Sequence, residues 1–143
     1  MTLALKPGEN STITHSSVTD LSIKQVIIDE EDQEESSSTL AVECPMLRKI
    51  KVGSIHEAMD EICIDSKNLQ YIELERIKRL YRVRIGEGVQ GIRNINMQEC
   101  GVEKESTRFE FAHRQDYLQR INCNEEKWDR GEGLSENASN MIE

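Results

Sequence analysis

The sequence has few of the residues from which large cores and membrane spans are built. Aromatic residues make up 4% and apolar residues 36% of the 143 residues, so we expect one small folded module. No apolar run approaches the length of about eighteen residues that suggests a membrane span. The start of the chain offers only the apolar triplet LAL, which is too short for a secretory signal. These absences predict a soluble protein of the nucleus or the cytoplasm.

Residues for catalysis or metal binding are present but scattered. The three histidines are far apart at positions 15, 56 and 113, and the four cysteines form no C-x-x-C pair, which favours free thiols in a reducing compartment. The glycines of GEGVQG have no strand signal before them and no Lys-Ser or Lys-Thr pair after them, so they do not form a phosphate loop. The sequence predicts no enzyme, no metal site and no cofactor.

The net charge of −9 is concentrated towards the ends of the chain. Residues 1–45 are rich in serine, threonine and acidic residues, and residues 132–143 contain three acids and no base. Such composition is typical of disordered segments and disfavours nucleic acid as a partner. We therefore predict a disordered region over 1–45, a folded module over 53–131 and a flexible tail over 132–143.

The pattern of residues 53–131 predicts a mainly α fold of about three helices. Ser54 and Glu57 have the spacing of a capping box, as do Thr107 and Glu110. Between them, apolar residues recur at steps of three and four, which is typical of an amphipathic helix. Because neither tandem repeats nor a sustained heptad is visible, a solenoid or a long coiled coil is not expected.

The predicted helices expose more apolar surface than three short elements can bury among themselves. We therefore expect this surface to bind a protein partner or to mediate self-association. The residues expected to take part are Ile77, Leu80, Tyr81 and Ile85.

A second interaction element is the stretch VIIDEED. Its aliphatic trio followed by acids resembles a SUMO-interacting motif, in which an extended peptide adds a strand to the edge of the modifier's sheet. The resemblance implies SUMO or a sumoylated protein as a partner, and a lone aliphatic cluster in an acidic tail is the alternative. The implied contacts are Val26, Ile27, Ile28, Asp29, Glu30 and Glu31.

Three weaker signals define alternative functions. The peptide RVRI and the later FEFAHRQDYLQRI resemble regulatory subunits that bring protein phosphatase 1 to translation initiation factor 2. Ile85 stands in place of the aromatic anchor of that family, and Phe109 stands where the family has tryptophan. The stretch INCNEE resembles the L-x-C-x-E peptide that docks on retinoblastoma-family proteins. A cluster of five basic residues within 76–84 could meet phosphates, although a solvated, salt-bridged face explains it better. The sequence thus favours a non-enzymatic intracellular adaptor, with a phosphatase-targeting subunit second and a nucleic-acid-binding protein third.

The docking peptide gives a direct prediction. A peptide of residues 20–38 is expected to bind labelled SUMO in the micromolar range, roughly −8 kcal/mol at 1 μM, because main-chain hydrogen bonds and the aliphatic trio provide the affinity. The double change Ile27→Ala with Ile28→Ala should abolish binding, whereas Asp29→Asn should weaken it modestly and in a salt-dependent way. Absence of any titration shift at millimolar peptide would exclude SUMO as the partner.

Overall fold

The computed structural model of the chain is built from strands. It describes residues 1–6, 8–26, 37–101, 108–112, 118, 120–123 and 126–129, and no helix occurs among them. The predicted mainly α fold is therefore wrong, and so is the prediction of a helical module. The strands are β1 (Thr2–Leu5), β2 (Ser11–Thr14), β3 (Asp20–Gln25), β4 (Ser37–Glu43), β5 (Lys49–Ile64), β6 (Tyr71–Leu80), β7 (Arg82–Ile85), β8 (Asn94–Gln98), β9 (Arg108–Phe111), β10 (Arg120–Cys123) and β11 (Glu126–Asp129).

The strands stack in parallel, coil upon coil, in a β-solenoid-like arrangement. Every strand pair of the described residues is parallel except β10 with β11. Lys49 lies beside Tyr71, and Tyr71 lies beside Asn94, so these coils take 22 and 23 residues. The expectation that the chain is not a solenoid is thus also wrong.

The coils that begin with β5 and β6 run over three faces, which we call A, B and C. Face A contains β1, β3, the starts of β5 and β6, β8 and β10, and face C contains β2, most of β4, the end of β5, β7 and β9. Face B contains residues 55–59 of β5 and residues 77–80 of β6, where Ile55 lies beside Ile77. The long strand β5 bends through all three faces and pairs with neighbours on each of them.

The core fills the space enclosed by the faces. On face A, an apolar ladder runs through Leu21, Ile50, Ile72 and Ile95, which lie in register and are at most 2% exposed. On face C, Val42, Ile64 and Ile85 form a second buried ladder. Full burial of one such side chain contributes about 1.5–3 kcal/mol, so in-register stacking along the axis is the main source of stability.

The corner between faces A and B explains why the sequence resembled a helix. Ser54, Arg76 and Glu99 occupy equivalent corner positions in three successive coils, and all three have a positive φ of 53° to 55°. The extra corner residue turns an inward step of two into a step of three, as from Leu74 to Ile77. Inward steps of two and three then imitate the three- and four-residue steps of an amphipathic helix.

The first predicted capping box lies in a strand and not at a helix start, and the second is described only from residue 108 onward, because Thr107 lies outside the described residues. Ser54 is a left-handed corner within β5, and the Glu57 carboxylate accepts hydrogen bonds from the Gly8 N–H and the Gln25 side chain. Glu110 lies in β9, where its carboxylate pairs with Arg82. The glutamates Glu57 and Glu110 therefore bind residues of other coils, and they do not cap the start of a helix.

The segment predicted to be disordered contains strands β1 to β4. Leu21 and Ile23 of β3 and Leu40 and Val42 of β4 are buried in the common core. Residues 27–36, which include the acidic run, lie outside the described residues, as do 130–143, which include the predicted tail.

The glycine at position 101 gives a stability prediction. Its N–H donates to the Ile77 carbonyl and its own carbonyl accepts from the Leu80 N–H, both at 2.9 Å. A Cβ at this position would overlap the Lys78 carbonyl oxygen, so Gly101→Ala should lower the free energy of unfolding by about 1–3 kcal/mol, the usual range for overpacking. Urea denaturation measures the change.

The matched control is Gly91→Ala. The nearest atom to a Cβ there is the Leu69 carbonyl oxygen at 3.7 Å, an ordinary contact distance. This variant should unfold close to the wild-type midpoint. Equal effects of the two alanines would contradict the close packing of residue 101 on β6.

Candidate functional site

An open groove of about 620 Å³ lies where the corner between faces A and B meets face B. It crosses three coils, because its lining comes from β5, from β6 and from the residues that follow β8. The lining residues are Ser54, Ile55, His56, Arg76, Ile77, Lys78, Glu99, Cys100 and Gly101.

Adjacent coils bring polar side chains to the same groove. Ile55 lies beside Ile77, and the register between β5 and β6 shifts directly after this pair. The residues that follow them, His56 and Lys78, both line the groove. Alternation points the apolar pair inward and the polar pair outward. Ile55 and Ile77 are accordingly buried, whereas His56 and Lys78 are exposed.

The left-handed corner adds charged side chains at the rim. Arg76 and Glu99 are both exposed corner residues that lie one coil apart. The Arg76 guanidinium lies 3.8 Å from the carboxylate of Glu75, an exposed ion pair that holds the cation only weakly. The rim therefore presents the cations Arg76 and Lys78 together with His56, and the acid Glu99 lies on the side of the later coil.

Cys100 is the one thiol in the groove lining, and it faces inward. Its side chain is 5% exposed. Burial raises the pKa of this thiol, although hydrogen bonding to the backbone of Ile77 and Gln98 opposes the effect. Burial likewise raises the pKa of the Cys44 and Cys63 thiols. Cys100 is therefore protonated near neutral pH and lacks the thiolate character of a nucleophile.

A buried polar network supports the groove from behind. The Gly8 N–H donates to both carboxylate oxygens of Glu57 at 2.9 Å. The Gln25 side chain donates to the same carboxylate at 2.8 Å and accepts from the His56 N–H at 2.7 Å. Because Glu57 and Gln25 are only 6% and 5% exposed, this network fixes the backbone that carries His56.

The structure buries most of the residues predicted to form a partner surface. Ile77, Leu80 and Ile85 are at most 1% exposed, and Tyr81 is half-buried. Ile77 contributes to the floor of the groove. The other two apolar residues belong to the common core on faces B and C.

The SUMO-like peptide begins where β3 ends. Val26 is 40% exposed, and its N–H donates to the Leu5 carbonyl at 2.7 Å. The remaining predicted contacts, Ile27, Ile28, Asp29, Glu30 and Glu31, lie outside the described residues.

Several residues behind the weaker resemblances lie within paired strands, whereas 113–117, 119, 124 and 125 lie outside the described residues. Val83 and Ile85 of the phosphatase-like peptide are core residues of β7, and Phe109 is buried in β9. Ile121 and Cys123 of the pocket-protein-like peptide lie in β10, which pairs with both β8 and β11. Each of these strands would have to leave its neighbours to dock as a separate peptide.

The predicted basic cluster is divided between two faces. Arg76 and Lys78 lie at the groove, whereas Arg82 and Arg84 lie on face C. The Arg84 side chain lies 3.3 Å from carboxylate oxygens of both Glu61 and Glu110. Only the first pair of cations is therefore presented to the groove.

Sequence reasoning missed the groove because its members are distant in the sequence. His56 and Lys78 meet only through the pairing of β5 with β6. The available signal was the equivalent apolar pattern of successive coils, such as IKV of β5, IEL of β6 and INM of β8. Alignment of these triplets would have placed Ser54, Arg76 and Glu99 at one corner.

Two further properties concern metal binding and membranes. Within the described ranges, no three His, Cys, Asp or Glu side chains are grouped closely enough to hold a metal ion. The same part of the chain has no helix with the length and apolarity that a membrane crossing requires.

Comparison of the chain with protein-family models, with curated proteins and with solved structures finds no match in any of the three.

The network behind the groove gives a second stability prediction. In Glu57→Gln, an amide NH₂ replaces one of the two oxygens that accept from Gly8, so two N–H donors face each other at a side chain that is only 6% exposed. We expect the free energy of unfolding to fall by about 1–3 kcal/mol. Asp60→Asn removes the same charge at an exposed position of the same strand and should change stability by less than about 0.5 kcal/mol. Identical urea midpoints for the two variants would contradict the structural role of the network.

Proposed function

We propose that this protein is a non-enzymatic adaptor whose solenoid binds an acidic segment of a partner protein in the groove at the corner between faces A and B. The observation that carries the proposal is that Arg76, Lys78 and His56 converge on one open groove from two adjacent coils. A groove of about 620 Å³ lies in the usual size range of binding sites, about 300–1,000 Å³.

The arrangement suits an extended peptide that crosses the coils. His56 and Lys78 lie on strands that line the same groove, and Arg76 lies at the corner beside it. The backbone that carries these side chains is ordered before the peptide binds, which lowers the entropic cost of binding. Carboxylates of the partner would pair with the two cations of the groove.

The chemistry of the groove supports binding and not catalysis. Its cysteine is a buried thiol whose pKa is raised, so it does not supply the thiolate that nucleophilic catalysis requires. The Sγ atom of Cys100 donates to the Gln98 carbonyl at 3.5 Å.

The SUMO-like peptide is a second candidate attachment point. The exposed side chain of Val26 at the end of β3 favours it, since the peptide begins at the surface. In this arrangement one chain would contact two partners, which is the property of an adaptor. SUMO binding by residues 26–31 stays a prediction, tested by the titration of the 20–38 peptide.

The groove proposal is tested by fluorescence anisotropy with a short labelled polyglutamate peptide and the 143-residue chain at low salt. Wild-type protein should bind the peptide, and added salt should weaken the binding because the contacts are exposed ion pairs. The double variant Arg76→Glu with Lys78→Glu should lower the affinity at least tenfold, since both rim cations become repulsive.

The matched control is Lys67→Glu with Arg93→Glu, which changes the net charge by the same amount at two exposed positions outside the groove. This control should retain most of the affinity. Failure of the wild-type chain to bind the peptide, or an equal loss in both double variants, would overturn the proposal, because only general electrostatics would then remain.

A further inference from the structure

The first coil of the solenoid ends in an open sheet edge. Strand β1 pairs only with β3, and β2 pairs only with β4. Within the part of the chain that the structure describes, no strand covers the outer side of either one. Open edges of this kind present unpaired N–H and C=O groups that can accept a further strand.

The direction of the backbone groups on β1 follows from its pairing with β3. The Met1 carbonyl accepts from the Ser22 N–H at 2.8 Å, and the Leu5 carbonyl accepts from the Val26 N–H at 2.7 Å. Because successive residues of a strand direct their backbone groups to opposite sides, Thr2 and Ala4 direct theirs outward. These two residues supply the free hydrogen-bonding groups on face A of the open end.

The open end also leaves apolar side chains partly uncovered. Leu3, Leu5 and Ile13 pack against the core but are only half-buried. Their counterparts in the next coil are more enclosed: Leu3 lies beside Ile23 and Ile13 beside Val42, and both neighbours are at most 1% exposed. A further coil on this side would complete the burial of the first one.

Nothing in the two edge strands opposes pairing with another strand. Their sequences, TLAL and STIT, contain neither a charged residue nor a proline, although charges and prolines are the usual protection of exposed edges. The first coil, residues 2–19, has one lysine and one glutamate, so its formal charge is zero in a chain of net charge −9. Two such ends can approach each other without the repulsion that acts between the acidic parts of the surface.

We propose that the open edge of β1 and β2 is an interface that binds a second copy of this chain. The two copies meet first coil to first coil around a twofold axis, so the same strands form both sides of the contact and pair in antiparallel orientation. The outward backbone groups of Thr2 and Ala4 form hydrogen bonds with the second copy. The half-buried side chains of Leu3, Leu5 and Ile13 become buried against the apolar side chains of that copy. The interface lies on the end of the solenoid and is separate from the groove.

Among the described residues, the last strands differ from β1 and β2. Strand β11 lies antiparallel to β10, and its sequence EKWD carries three charged residues, which oppose further pairing. Because a twofold contact uses the same surface of both copies, it closes at two copies and does not continue into a filament.

Sedimentation velocity of the 143-residue chain over a range of concentrations tests the interface. The wild type should form a reversible dimer. Ala4→Pro removes one outward N–H without touching the bonds to β3, and it should shift the equilibrium at least tenfold towards monomer. Ala4→Thr keeps the N–H and should dimerise like the wild type. Circular dichroism confirms that each variant keeps its strand content.

A second variant tests the same interface if the proline disturbs the fold of β1. Ala4→Lys with Thr12→Lys changes two exposed side chains, leaves the backbone groups in place and brings like charges together across the twofold axis. It should also be monomeric. A wild type that is monomeric throughout, a dimer that survives in both variants, or open-ended polymers in place of dimers would each overturn the proposal.

Discussion

The structure depends on the packing of each inward side chain onto its counterpart in the next coil. Ile50 rests on Leu21 and supports Ile72, and the pairing of face A holds this register through successive coils. Apolar burial is the driving force, and the parallel hydrogen-bond ladders make the burial specific, since a slip by one residue would turn each inward side chain outward. This register determines the positions of the corner residues, the buried network and the groove.

The sequence predicted which residues are apolar and buried better than it predicted the element that buries them. Ile77, Leu80, Val83 and Ile85 lie at steps of three, three and two, and all are buried. Local periodicity could not separate a helix from a strand bent at a corner, because the extra residue at Arg76 shifts the alternation. The repeat was hidden by insertions: Asp20 and its partner Lys49 are 29 residues apart, against 22 from Lys49 to Tyr71.

The groove could not be predicted from local patterns, because it is made by contacts between coils. In the sequence His56 is one of three distant histidines, and Arg76 and Lys78 belong to a basic cluster that a solvated, salt-bridged face explains. The stacking of the coils brings His56, Arg76 and Lys78 to one groove and places Arg84 on face C, close to Glu61 and Glu110. The chemistry of the individual side chains was evident in the sequence, but which side chains lie close together in space was not.

The coil-by-coil construction also determines how the protein can assemble and come apart. The strand pairs of the described residues join neighbouring coils, so stability is close to a sum of coil terms and nearest-neighbour terms. The hydrogen bonds from Gly8 to Glu57 reach one coil further and add to that sum. The coils around β5 and β6 are supported on both sides, whereas the one that contains β1 and β2 is supported on one. Folding can therefore nucleate in the middle coils and propagate outward. Unfolding begins with local opening of the first coil. Amide hydrogens of β1 would exchange earlier than those of β5, a gradient along the axis in place of a single cooperative melt.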